Sequence, residues 1–313
     1  MKCRVCRGPA IIDTPQHNAN FCGEHFERFC LDQVAKAIKK FEMFGTTDRI
    51  LVAVSGGKDS LAIWHILTQL GYDADGLYVG LGIGDYSDAS GDMSRQFAES
   101  HGFTLHEVDL RDEYGYDVPE GSRAAKRTPC SACGLSKRHI FDRVTLENDY
   151  DVLVTGHNLD DEAAVLFGNV LRWQTDYLGR QQPVLPAGSG FPRKVKPLVR
   201  LGEREMAAYC VIKGIDYQID ECPMSAGNKH IGYKEALNDI EARSPGSKFA
   251  FYHEYLARAA AQFQTQSDAD RDALEPCTNC GSPTPTEVCA FCRLVERATA
   301  PQPVAIGATR RRT

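Results

Sequence analysis

Residues 50–60 constrain the fold more than any other stretch of this chain. Ile50-Leu51-Val52-Ala53-Val54 is an unbroken apolar run, as expected for a strand buried on both faces of a parallel sheet. It leads directly into Ser55-Gly56-Gly57-Lys58-Asp59-Ser60, and Asp59 to Leu70 then reads as a helix. Two adjacent glycines let the backbone turn tightly and approach an anion closely. The helix start that follows offers free N–H groups and a positive dipole end. Ser55 and Ser60 add hydroxyl donors and Lys58 a positive charge. The segment is therefore expected to bind phosphate. It is not a Walker loop, in which Ser or Thr follows the lysine, because Asp59 stands there.

A second segment has the same context. Thr155-Gly156-His157-Asn158-Leu159-Asp160-Asp161-Glu162 follows the apolar run Val152 to Val154. Ligands of an open parallel sheet sit at the carboxyl ends of strands, so both segments should face one crevice. Asp160, Asp161 and Glu162 also suit a helix N-terminus, where the dipole favours acids. Further strands are expected at Gly76–Leu81, Thr104–Leu110 and Asp151–Thr155. Helices are expected at Phe26–Phe44, Ser90–His101, Ser136–Glu147, Asp160–Trp173, Gly202–Lys213 and Phe249–Gln264. Strand and helix alternate, which predicts an α/β fold with a doubly wound, mostly parallel sheet.

Twelve cysteines are many for a chain whose first residues lack an apolar leader, and their spacing is ordered. Cys3-x-x-Cys6 with Cys22-x-x-His25, and Cys277-x-x-Cys280 with Cys289-x-x-Cys292, each supply two tight knuckles. Two knuckles close a tetrahedron around one ion, so each set is read as a structural zinc site. His17 is a competing ligand in the first set, with the poorer spacing. Cys130-x-x-Cys133 offers one knuckle and Cys222 one distant sulfur. Three readings of this trio stay open: a redox pair of Cys130 and Cys222, an iron–sulfur cluster with one open iron, or a zinc ion completed by a histidine. Cys210, in an apolar helical stretch, reads as a buried small residue.

The net charge of −6, with 36 basic against 42 acidic residues, does not advertise a nucleic-acid binder. Any RNA contact must be local, and Lys36, Lys39, Lys40, Arg193, Lys194, Lys196, Arg200 and Arg310 to Arg312 are the candidates. No apolar run reaches the roughly 18 residues of a membrane span, and a cytoplasmic protein is expected. The expected domains are a zinc module at 1–28, an ATP-binding catalytic domain at 29–264, a zinc ribbon at 265–296 and a disordered tail at 297–313. Thr265 to Pro276 is read as a polar linker.

The combination of these motifs resembles the tRNA 2-thiouridine synthetases of the TtuA type, over about residues 1–295. Ser55 to Ser60 resembles the PP-loop of the ATP pyrophosphatase superfamily, which implies an adenine nucleotide alpha hydrolase-like fold. The resemblance implies an enzyme that adenylates the C2 oxygen of a tRNA uridine and replaces it with sulfur. It implies ATP and Mg²⁺ held by Ala53, Ser55, Gly56, Gly57, Lys58, Asp59, Ser60, Gly156 and Asp161. It implies a [4Fe-4S] cluster on Cys130, Cys133 and Cys222, with Cys130, Cys222, Asp59, Lys137 and Asp161 taking part in the chemistry, besides the two Zn²⁺. The implied partners are tRNA, a ubiquitin-like sulfur-carrier protein and a second copy of the chain. The T-loop methyluridine is the expected target, with wobble uridine as the alternative. Two rival readings are a PP-loop ligase or amidotransferase acting on a small molecule, which has no use for the trio, and a non-enzymatic zinc and iron–sulfur scaffold or redox sensor.

Overall fold

The structure, a computed structural model, describes residues 1–225 and 229–301. The N-terminal module is a hairpin of β1 (Ile12–Thr14) and β2 (Ala19–Phe21), followed by the long helix α1 (Gly23–Lys40). The central domain begins with β3 (Ile50–Val54), α2 (Lys58–Gln69), β4 (Ala74–Gly80), α3 (Gly84–His101) and β5 (Leu105–Asp109). Two short helices, α4 (Leu110–Tyr114) and α5 (Val118–Ala124), lead to α6 (Pro129–Glu147), β6 (Val152–Thr155), α7 (Leu159–Leu171) and α8 (Thr175–Gly179). Next come β7 (Val184–Leu185), β8 (Arg193–Val195), α9 (Glu203–Lys213), α10 (Lys229–Arg243), α11 (Ser247–Arg258) and α12 (Ala260–Asp272). The C-terminal module contains β9 (Glu275–Pro276), β10 (Pro283–Thr284) and α13 (Ala290–Thr299).

The central sheet has the order β5-β4-β3-β6-β8-β7, parallel except for the edge strand β7. The chain winds outward from β3 to β4 and β5, then returns to the other side of β3 through β6 and β8. The order reverses between β3 and β6, so the crevice of this sheet opens where both sequence motifs end their strands. Alternate residues of β3 serve opposite layers. Ile50, Val52 and Val54 join a core with α1, α2, α7 and α9, whereas Leu51 and Ala53 join a second core with α5, α6 and α13. Burial on both faces is why the strand reads as an unbroken apolar run. Trp64 is fully buried, donates from Nε1 to Ala74 O at 2.7 Å, and stacks so closely over Gly76 that a Cβ there would come within 2.5 Å of the ring. An aromatic buried this completely contributes about 3–5 kcal/mol.

Several expectations are corrected. α6 begins at Pro129, seven residues before the helix expected at Ser136. Thr128 accepts from Ser131 N and Pro129 occupies the first turn, a start signal that periodicity alone overlooks. The stretch read as a linker, Thr265 to Pro276, is largely the end of α12, where Phe263 anchors the preceding turns on the main core. The single helix expected at Phe249–Gln264 is two helices that break at Ala259. α13 extends to Thr299, past the expected start of a disordered tail at 297, because Phe291 and Leu294 bury against α5 and α6. α10 was not expected at all. Arg310, Arg311 and Arg312 lie outside the described residues. No helix among the described residues is long and apolar enough to cross a membrane.

Candidate active site

The loop after β3 is shaped by its glycines. Gly56 has φ +71°, a left-handed conformation that favours glycine, and a Cβ there would collide with the backbone carbonyl of Ser90. Ser60 holds the turn closed: Ser55 N donates to its Oγ at 3.1 Å, and that hydroxyl donates to Gly57 O at 2.9 Å. Lys58, Asp59 and Ser60 form the first turn of α2, whose amides have no intrahelical acceptor and face the crevice. Ala53, at the end of β3, pairs with Thr155 of β6 and lines the floor.

The second motif touches the first. Gly156 lies so near the loop that a Cβ there would be 2.9 Å from Ser60 N. Asn158 caps α7 by accepting from Asp161 N, while Asn158 N donates to Asp161 Oδ2 at 3.2 Å. Its Nδ2 also donates to Asp59 Oδ1 at 3.0 Å, so one residue, through its side chain and its backbone amide, ties two carboxylates together. The three neighbouring acids part company. Asp160 is buried, accepts from Glu203 N at 2.7 Å and pairs with Lys248. Glu162 is buried against Lys196 at 2.8 Å and Gln181 at 2.8 Å. Only Asp161 faces the crevice, at 2.6 Å from Lys234 Nζ.

Lys58 Nζ lies 3.1 Å from Asp59 Oδ2 and 2.7 Å from Glu203 Oε1, and Lys234 Nζ lies 3.3 Å from Glu203 Oε2. Burial pushes Asp59 above the usual carboxylate range, against the pull of Lys58 and Asn158. Burial pushes Asp161 the same way, but Lys234 and His157 outweigh it and hold the carboxyl low. Sequence reasoning missed Glu203 and Lys234. The only local signal was Gly202-Glu203 opening a helix, which marks a start and not a site.

The sulfur trio lies at the same end of the sheet, on its other face, where α6 begins. Cys130 and Cys133 occupy the first turn of α6, three residues apart on one helix face. Cys130 is exposed and its Sγ contacts Met224 O at 3.8 Å, which places the Cys222–Met224 segment beside it. Cys133 and Cys222 are half-buried in the core that Ala53 shares. Burial raises Cys133, and Lys137 one turn along α6 opposes that rise. Burial lowers His157 of the second motif, and Lys196 and Lys137 act in the same direction. Gln218 N donates to Gly56 O at 2.8 Å. Four residues span at most about 14 Å, which ties Cys222 to the neighbourhood of the phosphate loop. Cys210, fully buried, contacts Lys58 O from behind the loop.

The two terminal sets are compact. The ligand atoms of Cys3, Cys6, Cys22 and His25 lie within 4.8 Å of one another, as do those of Cys277, Cys280, Cys289 and Cys292. Cys6 and Cys22 sulfurs are 3.9 Å apart, and those of Cys280 and Cys289 3.7 Å, near the roughly 3.8 Å edge of a tetrahedron with 2.3 Å metal–sulfur bonds. Burial pushes Cys3 and Cys277 up, but backbone amides aimed at each sulfur outweigh it and bring both down to about 6, while their neighbours Cys6, Cys289 and Cys292 are raised. His17 is not in the first set; it packs edge-on against Phe29 with centroids 4.9 Å apart. Among the described residues, the trio does not draw together as these sets do.

The basic residues expected to meet RNA divide. Lys36, Lys39 and Lys40 are exposed on α1. Lys194 and Lys196 are consumed by ion pairs with Asp142 and Glu162, Arg200 donates to Gln33 Oε1 at 2.9 Å, and Arg193 donates to Glu42 O. These four hold the fold together, since partly buried charge requires a partner.

Comparison with known proteins agrees with this arrangement. Residues 2–27 match the family model of the 2-thiouridine synthetase TtuA N-terminal LIM domain. The chain is 45% identical to the tRNA-5-methyluridine(54) 2-sulfurtransferase of Thermus thermophilus, covering 94% of this chain and 91% of that one. It is 40% identical to the protein of the same name from Thermotoga maritima, covering 94% and 96%. The fold is similar to that of the U34-tRNA thiolase NcsA from Methanococcus maripaludis, solved with its [4Fe-4S] cluster. The TM-score is 0.75 at 26% identity, over 94% of this chain and 95% of that one.

Proposed function

This chain belongs to the TtuA-type tRNA 2-thiouridine synthetases, a family of tRNA sulfurtransferases, and from that premise we propose that it converts 5-methyluridine 54 of tRNA to its 2-thio form with ATP. The observation that carries the reading is that the loops and the trio share one end of the sheet: Gly156 lies against Ser60 N while Gln218, just upstream of Cys222, holds Gly56. Position 54 is favoured over wobble uridine because the relatives named for position 54 are 37–45% identical, against 26% for the U34 thiolase.

In the proposed reaction the uridine C2 oxygen attacks the α-phosphorus of ATP, and the bond to pyrophosphate breaks. A sulfur nucleophile then adds at C2, and AMP leaves with the former carbonyl oxygen. A carbonyl oxygen leaves poorly and adenylate leaves well. The protein's task is therefore positioning and charge stabilisation. The α2 amides, Lys58 and Ser60 hold the β,γ-phosphates. Asp59 and Asp161, joined through Asn158, hold Mg²⁺. Lys137 supplies positive charge beside the trio. Cys130, Cys133 and Cys222 would hold a [4Fe-4S] cluster, which would supply an open iron site for inorganic sulfur. The exposed Cys130 leaves that side open to a ubiquitin-like carrier delivering sulfur as a C-terminal thiocarboxylate.

The reading is tested with anaerobically prepared protein, ATP, Mg²⁺, a sulfur source and tRNA transcripts that carry or lack 5-methyluridine at position 54. AMP release and mass-spectrometric detection of the 2-thionucleoside should both require tRNA and ATP. Thiolation that proceeds without ATP, or AMP release indifferent to tRNA, would sink it.

We assign the terminal sets to one structural zinc ion each. Cys289→Ser should lower the zinc content from two ions per chain to one. It should also lower Tm by about 10 °C, since metal binding is folding energy for such modules and Phe291 anchors the module on α6. Zinc content that stays at two ions in this variant would refute the assignment.

A further inference from the structure

The crevice holds a second lysine that neither motif announces. Lys234 sits on α10, next to Tyr233. The Tyr233 ring packs onto Gly168 of α7 so tightly that a Cβ there would lie 2.6 Å from it, and it meets Phe167 edge-on with centroids 5.8 Å apart. This docking aims Lys234 at the first turn of α7, where Nζ is 2.6 Å from Asp161 Oδ1. Glu203 then spans the two lysines: Oε1 is 2.7 Å from Lys58 Nζ and Oε2 is 3.3 Å from Lys234 Nζ. The carboxylate lies where the first turns of α2, α7 and α9 meet.

A carboxylate bridging two ammonium groups in front of helix N-termini occupies the setting that suits phosphate oxygens. The side chains keep partial exposure, 19% for Lys58, 27% for Lys234 and 42% for Glu203, so the arrangement is open to exchange with a ligand. Asp161 and Glu203 hold Lys234 charged against the opposing effect of its burial. A pyrophosphate group carries more charge than the single carboxylate and makes bonds to both lysines at once. Its arrival would also free Asp161 from Lys234 to face the metal.

We propose that Lys234 is a second pyrophosphate-binding lysine of the ATP site, and that Glu203 is an internal anion that Lys58 and Lys234 release when the β,γ-phosphates enter. This rests on the nucleotide reading above. Lys234 touches the departing pyrophosphate and stabilises it as charge accumulates there.

The test is calorimetric binding of ATP, AMP and inorganic pyrophosphate, each with Mg²⁺, to the full chain and its variants. Lys234→Ala should weaken ATP about 10- to 100-fold, as expected for hydrogen bonds between charged groups, and leave AMP within about twofold. Lys234→Arg should keep most of the ATP affinity. Glu203→Gln should tighten inorganic pyrophosphate several-fold, because the competing anion is gone. If Lys234→Ala weakens ATP and AMP alike, the lysine merely holds α10 in place and the inference fails. If ATP binds this variant as it binds the wild type, the inference fails alone and the nucleotide reading survives. A wild-type chain that binds no ATP overturns both. Weaker pyrophosphate binding by Glu203→Gln removes the internal-anion part.

Discussion

Cys222→Ser is expected to cut thiolated tRNA by at least about 10³-fold, equivalent to about 4 kcal/mol of transition-state stabilisation, while ATP binds within about twofold of wild type. The separation follows from geometry. Cys222 is half-buried beside Cys130 and Cys133, and Gln218 contacts the loop through its backbone amide, which a change of side chain at 222 leaves intact. Serine is close in size, so the core around Met224 keeps its packing, but an alcohol does not replace a thiolate on iron. Iron analysis of the anaerobic variant should show the cluster lost and zinc retained. Unchanged thionucleoside formation would remove the trio from the chemistry.

Lys58→Ala should lower kcat/KM for tRNA-dependent AMP formation about 10²- to 10³-fold, the usual effect of deleting one group that stabilises developing charge. Lys58 is the first residue of α2 and separates Asp59 from Glu203, at 3.1 and 2.7 Å. Without it, two carboxylates face each other and the incoming phosphates. The side chain is only partly buried, so Tm should move by no more than a few degrees, which separates loss of chemistry from loss of fold. Lys58→Arg should recover part of the rate, since the charge returns with a different shape. Full activity in Lys58→Ala would remove this lysine from the phosphate site, whereas no AMP formation by the wild type would favour the non-enzymatic scaffold.

Both variants probe groups that are legible in the sequence, to different degrees and for a physical reason. Lys58 and its glycines act through a turn of a few residues, so neighbours in sequence are neighbours in space. The terminal ligand sets obey the same rule, because a knuckle is closed by residues three apart. Cys222 is legible only as an isolated thiol beside a proline. Its relation to Cys130 depends on the crossovers that bring α6 and the segment after α9 to one end of the sheet.

Asp160, Asp161 and Glu162 show where local reading stops. All three suit a helix start equally well. Packing decided that Asp160 caps α9, that Glu162 neutralises Lys196 inside the protein, and that Asp161 faces the crevice. The same holds for the basic residues at 193–200, which looked like phosphate contacts and instead join elements together.

The sequence by itself determined the strand–glycine–helix cradle, the two tetrahedral cysteine sets and the presence of three further thiols, since each is set by bonding over a few residues. Tertiary structure alone decided that the cradle and the thiols lie at one end of the sheet, by the strand reversal between β3 and β6. It also decided that Glu203 and Lys234 complete the charge balance there. Long-range convergence is settled by which apolar faces bury against which, and no short spacing records that choice.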